Sequence, residues 1–359
     1  MVRALSCTHL FRTTLHGYYE AIVLVFIVIL IEIIVIDAVI FIIIFVMLIV
    51  ESAVLTVTVI VKCLIDIRLS EELLLFFFRA FALEFIQKHL TPGDLATGSF
   101  DAMCRDLQTV YDYGVRNIVD MTNQSMGRAP EYVRRLQEAT GINIILSTGY
   151  YLEQYIGPYV EPFSVSELAS SAIKELTAGI DGSREKAGVI GEIAWSKPAP
   201  GELELKAWEA MSIAACATGA VVSTHPSLGV LRLPQAEYLL DKGIDPRKIV
   251  IGHIEFYPDD NTLKKLLGYG VNIGLDMIGK ETGRGDCYRA DTVCKVKEWG
   301  YLSRLVLSLD LCRVQDLRSS GSYGYAHLFE VFLPMLRERG ITQSEIDLML
   351  KENPKRIFA

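Results

Sequence analysis

Gly188-Val-Ile-Gly-Glu192, Ala220-Val-Val-Ser-Thr-His225, Ile249-Val-Ile-Gly-His253 and Leu305-Val-Leu-Ser-Leu-Asp310 are four short apolar runs, each closing on a residue able to bind a metal ion. Runs this rich in Val, Ile and Leu read as parallel strands buried on both faces. The closing residues stand 33, 28 and 57 residues apart. A strand, its helix and the loops between them take about 30 residues. The last interval therefore holds two units, with Val271-Asn-Ile-Gly-Leu-Asp276 as the strand between them. Residues at the C-terminal ends of parallel strands converge on one face of a closed sheet, where barrel active sites lie. The pattern predicts a metal centre in outline.

Outward from these runs, strands and helices alternate. Apolar residues at helical spacing run over 100–113, a strand follows over 116–122, and a proline-started helix covers 130–140. A strand over 142–149 and a helix over 164–178 come next, with later helices over 202–218, 234–242, 261–269, 291–299 and 326–339. The alternation with short loops indicates a parallel α/β domain. Seven strands are evident, centred near 118, 144, 190, 222, 251, 273 and 307. A (β/α)8 TIM barrel needs an eighth. Leu73 to Leu83 is the candidate at the right distance, although it ends without a ligand. The expected organisation is a hydrophobic extension over 1–72 and a barrel over 73–359.

The extension accounts for the high mean hydropathy of +0.32. Residues 21–61 are almost entirely apolar, interrupted by Glu32, Asp37 and Glu51. The longest unbroken run, Ala38 to Val50, falls short of the roughly 20 residues a spanning helix needs. Three readings stay open: a membrane anchor, translated sequence foreign to the fold, or buried strands. The basic flanks are balanced and assign no orientation. A net charge of −8 without a Lys/Arg cluster argues against nucleic acid as a partner. Seven scattered cysteines with no CxxC pair suit a reducing compartment, so the barrel is expected in the cytoplasm, anchored there if residues 21–61 insert in a membrane.

A lone carboxylate at the end of a buried strand is costly. Glu192 is therefore expected either to pair with a lysine or to bridge two cations. His225 and His253, one unit apart and beside an acid, point to ligation. Asp310 suits a metal on one side and a proton from water on the other. Asp276 is read as ordering a loop, His327 as structural, and Asp259-Asp260 as a helix cap. The glycine-rich stretch Gly279–Gly285 is read as a mobile loop. Tyr150, Arg313 and Tyr325 are candidate substrate contacts from the same face.

At these residues the chain resembles a known group. Gly114-Val-Arg-Asn-Ile-Val-Asp-Met-Thr-Asn through Met126-Gly-Arg, Ser147-Thr-Gly-Tyr-Tyr, Gly191-Glu-Ile, Ser223-Thr-His, Gly252-His, Leu307-Ser-Leu-Asp-Leu, Tyr323-Gly-Tyr and Glu352-Asn-Pro are similar to the phosphotriesterase family of the amidohydrolase superfamily. The likeness is to the phosphotriesterase homology proteins, with glutamate in place of a carboxylated lysine, and covers about residues 95–359. It implies two Zn2+ per subunit and a bridging hydroxide. By that pattern Glu192 bridges the metals, His225 and His253 hold one, and Asp310 binds the other and takes the proton.

One part of the pattern is missing. Members carry a His-x-His pair at the end of the first strand, and this sequence has none; the spacing points to Ala80-Phe-Ala-Leu. The second zinc site would keep only Glu192 and Asp310. The expected function is a zinc-dependent hydrolase of an ester, lactone, amide or phosphoester, impaired by the missing pair. The alternative is a non-catalytic, membrane-tethered, metal-binding barrel. A small-molecule substrate is expected, and a homodimer is compatible with the reading.

Overall fold

A computed structural model describes residues 100–227, 232–255, 259–280 and 285–359. The extension over 1–72, the membrane reading of 21–61, the first-strand candidate at 73–83 and Ala80-Phe-Ala-Leu lie outside the described residues. Among the described residues, no helix is long and apolar enough to cross a membrane.

Seven strands form one parallel sheet in chain order: β1 (Asn117–Val119), β2 (Asn143–Thr148), β3 (Ala187–Trp195), β4 (Val221–Pro226), β5 (Ile249–Ile251), β6 (Asn272–Leu275) and β7 (Leu305–Leu307). All seven strands expected from the apolar runs are present. Register is regular from β4 to β7, with Thr224 opposite Ile251, Ile251 opposite Ile273 and Leu275 opposite Leu307. Strands of this composition need cover on both faces. Helices α1 (Phe100–Asp112), α2 (Pro130–Thr140), α3 (Glu153–Val160), α4 (Val165–Thr177), α5 (Glu202–Thr218), α6 (Arg232–Asp241), α7 (Asp260–Gly268) and α8 (Gly285–Glu298) supply it on the outside. Ser164 starts α4 with a capping box, accepting from the Glu167 amide while the Glu167 carboxylate accepts from the Ser164 amide. The main core lies between sheet and helices. There Trp208 packs on Trp195 at 4.7 Å and donates its indole N–H to the Ala194 carbonyl at 2.9 Å.

Three elements depart from the sequence-based expectation. α3 is an added helix, formed although Pro158 sits within it. α8 begins at Gly285 rather than Asp291, because Asp286 and Arg289 in its first turns pair with each other at 2.8 Å and turn inward. The last long helix divides into a wide turn over Leu328–Phe332 and a short helix α9 (Leu333–Glu338). Pro334 has no amide to donate back to Glu330, which favours the wider turn.

Glycine precedes both Glu192 and His253 for a steric reason. At Gly191 the φ is 156°, and a Cβ would stand 2.7 Å from the Ser223 carbonyl oxygen in the adjacent strand. At Gly252 it would stand 2.6 Å from the Thr224 carbonyl oxygen. Gly191→Ala is expected to cost about 2–3 kcal/mol through backbone strain and overpacking. Urea denaturation checks this, and an unchanged midpoint would mean that β3 and β4 separate freely.

Candidate metal centre

The parallel sheet carries Glu192 near the end of β3, His225 in β4 and His253 two residues past β5. Each offers a ligand atom, and these atoms all lie within 4.8 Å of one another. His253 Nε2 is 2.8 Å from His225 Nδ1. Glu192 Oε2 is 3.3 Å from His225 Nδ1, and its Oε1 is 3.7 Å from His253 Nε2. Both imidazoles are buried, and the carboxylate is nearly so.

His253 is held from several directions. It leaves β5 in the left-handed region, with φ at 50°. Its amide donates to both oxygens of Asp276 at 3.0 Å, and its ring Nδ1 lies 2.7 Å from Asp276 Oδ1. A carboxylate on one ring nitrogen directs the other toward a cation and fixes the tautomer. Asp276 thus does more than order its loop: it backs one of the candidate ligands. Burial opposes a charge on His253, but the carboxylates of Asp276, Glu192 and Asp310 outweigh it and hold its pKa up to about 10. Such a field suits a positive ion.

Asp310 lies three residues past β7, also left-handed, with φ at 49°. Its carboxylate raises the pKa of both His253 and Tyr151, which puts it in the neighbourhood of that centre. Its direct partner, however, is the Lys280 ammonium, which also reaches Cys312 Sγ at 3.4 Å. Asp310 is not part of the three-residue cluster.

One of the three candidate substrate residues is placed elsewhere. Tyr150 is buried in the main core, where burial pushes its phenol up to about 12. Gly149, with φ at 129°, ends the alternation of β2 and turns Tyr151 to the site instead. The Tyr151 hydroxyl lies 3.4 Å from both ring nitrogens of His225, and the two rings meet edge to face at 4.9 Å. Tyr325 packs against the cluster formed by α1, α2 and β2, with burial and Asp120 raising its pKa. Arg313 is half-buried beside Asp316, which accepts its amide at 3.0 Å, and its Nε has no hydrogen-bond partner among the described residues. His327 binds Asp286 at 2.6 Å, and Asp259 caps α7 by accepting from the Thr262 amide at 2.8 Å.

The donor set fits one borderline cation: two imidazoles and a carboxylate, with His253 aimed by Asp276. A second ion does not fit the described residues, because Asp310 is engaged by Lys280 and only Glu192 remains to share. Lys280 and Tyr151 are the neighbours that the strand pattern did not single out. Both sit in loops, where periodicity carries no signal.

The family model described as "Phosphotriesterase family" matches residues 55–358. The chain belongs to the phosphotriesterase family. It is 34% identical over 265 residues to the phosphotriesterase homology protein of Escherichia coli (strain K12), covering 74% of this chain and 91% of that one. A crystal structure of that E. coli protein with phosphate in its active site superposes with a TM-score of 0.72, covering 74% and 92% of the two chains. An N-acetyltaurine hydrolase of Dictyostelium discoideum is 28% identical over 277 residues, covering 74% and 75%. Members of the family are metal-dependent hydrolases, and that is the enzyme class of this chain.

Proposed function

We propose that this phosphotriesterase-family barrel binds one zinc ion on Glu192, His225 and His253 and uses it to hydrolyse an ester, lactone, amide or phosphoester bond. The observation that carries this reading is the convergence of those three ligand atoms within 4.8 Å at the C-terminal end of the sheet. A zinc ion there supplies Lewis acidity and lowers the pKa of bound water to about 7. Asp276 keeps the His253 ring in the orientation the site needs. Asp310 accepts the proton of the attacking water, and the Lys280 ammonium paired with it holds the carboxylate in place. Tyr151, kept neutral by burial and by the nearby carboxylates, donates its hydroxyl proton toward the substrate oxygen. The sequence has no His-x-His pair, so the second zinc site of the family pattern keeps only Glu192 and Asp310.

Zinc content and hydrolysis of a panel of lactones, aryl esters, N-acyl amides and dialkyl aryl phosphates test the reading on the full chain. One zinc per chain and chelator-sensitive turnover of at least one class are expected. Two tightly bound zinc ions would overturn the incomplete second site. One zinc without turnover of any class would leave a cation-binding barrel and overturn the hydrolytic assignment. Tyr151→Phe is expected to keep its zinc and lose about tenfold in kcat/KM, the scale of one neutral hydrogen bond. An unchanged kcat/KM would remove Tyr151 from the site's chemistry.

A further inference from the structure

The β4–β5 ladder ends with Thr224 opposite Ile251, so on that side His225 and His253 lie beyond the sheet's hydrogen bonding. Two side chains of α6 take over there. Arg232 Nη2 donates to the His253 carbonyl at 2.5 Å, and Gln235 Nε2 donates to the His225 carbonyl at 3.0 Å. Residues three apart share one face of a helix, so a single face of α6 meets the backbones of both histidines. Arg232 is 1% exposed and Gln235 is fully buried. An ionised guanidinium and a primary amide are rarely placed so deep. At His253 the arrangement completes a clamp, with Asp276 on the amide, Arg232 on the carbonyl and a left-handed backbone between them.

We propose that Arg232 and Gln235 are positioning residues that fix the distance and aim of the two imidazoles toward a shared cation. The inference rests on the reading of His225 and His253 as ligands. Two buried side chains thereby set how tightly the cation is held, through the carbonyl oxygens of its ligands.

Zinc dissociation constants from chelator competition, the visible spectrum of the cobalt(II)-loaded protein and thermal melting without added metal test the proposal on the full chain. Arg232→Met and Gln235→Met are expected to weaken zinc about 10- to 100-fold, the usual effect of losing a group that orients a ligand, and to shift the cobalt bands. Arg232→Lys should recover part of the loss. In a His253→Ala background, Arg232→Met should weaken zinc no further. If His225→Ala and His253→Ala bind zinc as tightly as the parent chain, the ligand reading fails and takes the clamp with it. If those two lose zinc while Arg232→Met and Gln235→Met melt lower but keep parental zinc affinity and cobalt spectrum, the clamp alone is overturned. Should Arg232→Met not fold, Gln235→Met and Arg232→Lys decide the question by the same criteria.

Discussion

Zinc is expected to leave the His253→Ala protein at concentrations where the parent chain holds it. A structural zinc site of four ligands is worth about 10–16 kcal/mol, or about 3 kcal/mol per ligand, so one lost imidazole weakens binding roughly a hundredfold. The loss is larger here than at an exposed site for two reasons. His253 is the most buried of the three candidate ligands, and Asp276 already pins its ring. Alanine also releases Asp276 from its ring contact, leaving a carboxylate that attracts water into the gap. Hydrolytic activity should fall with zinc occupancy and return in part at high zinc. Asp276→Asn keeps the shape and a hydrogen-bonding oxygen but removes the charge, so its zinc loss should be smaller, about tenfold. Chelator competition on the three proteins checks the order. Equal zinc affinity in parent and His253→Ala would remove His253 from the centre.

The second large effect concerns stability. Arg128 grips Glu175 through two hydrogen bonds of 2.5 and 2.7 Å, with side chains 1% and 8% exposed. Its Nη1 also reaches the Ser147 carbonyl near the end of β2. Removing one member of a buried pair strands the other charge, at a cost of about 3–5 kcal/mol. Glu175→Ala is expected to fall in this range, lowering Tm by about 10 °C for a domain of this size. Asp181, 3.1 Å from the guanidinium but largely exposed, offsets only part of the loss. Replacing both partners by apolar residues of similar volume should cost far less. Calorimetry on the single and double variants checks this, and a drop below about 2 °C for Glu175→Ala would show the pair to be solvated.

The strands were legible because a doubly buried strand must be apolar along its whole length. Glu192, His225 and His253 stood out because ionisable side chains interrupt runs that are otherwise apolar, and the fold brings their ligand atoms within 4.8 Å of one another. Legibility stopped where the chain leaves the sheet. Gly149 reverses the facing of the two tyrosines, so Tyr151 rather than Tyr150 meets His225. The pairing of Asp310 with Lys280 joins two loops thirty residues apart. Arg232 and Gln235 resemble the polar side of a surface helix, and only the packing of α6 on the strand ends turns them inward. Asp286 and Arg289 similarly shifted the start of α8, since charged residues suggest a loop unless their partners are known.

The left-handed backbone at Asp310 also bears on how this chain could change over time. Asparagine enters that region about as readily as aspartate, whereas most other residues resist it. Drift at position 310 therefore has an easy path to Asn, which would keep the loop's shape and remove the charge opposite Lys280. On the proposed reading, a lineage taking that path would keep Glu192, His225 and His253 and give up proton transfer, while stranding the Lys280 ammonium. Inactive members arising this way would pass an assay of metal content and show their change only in stability and turnover.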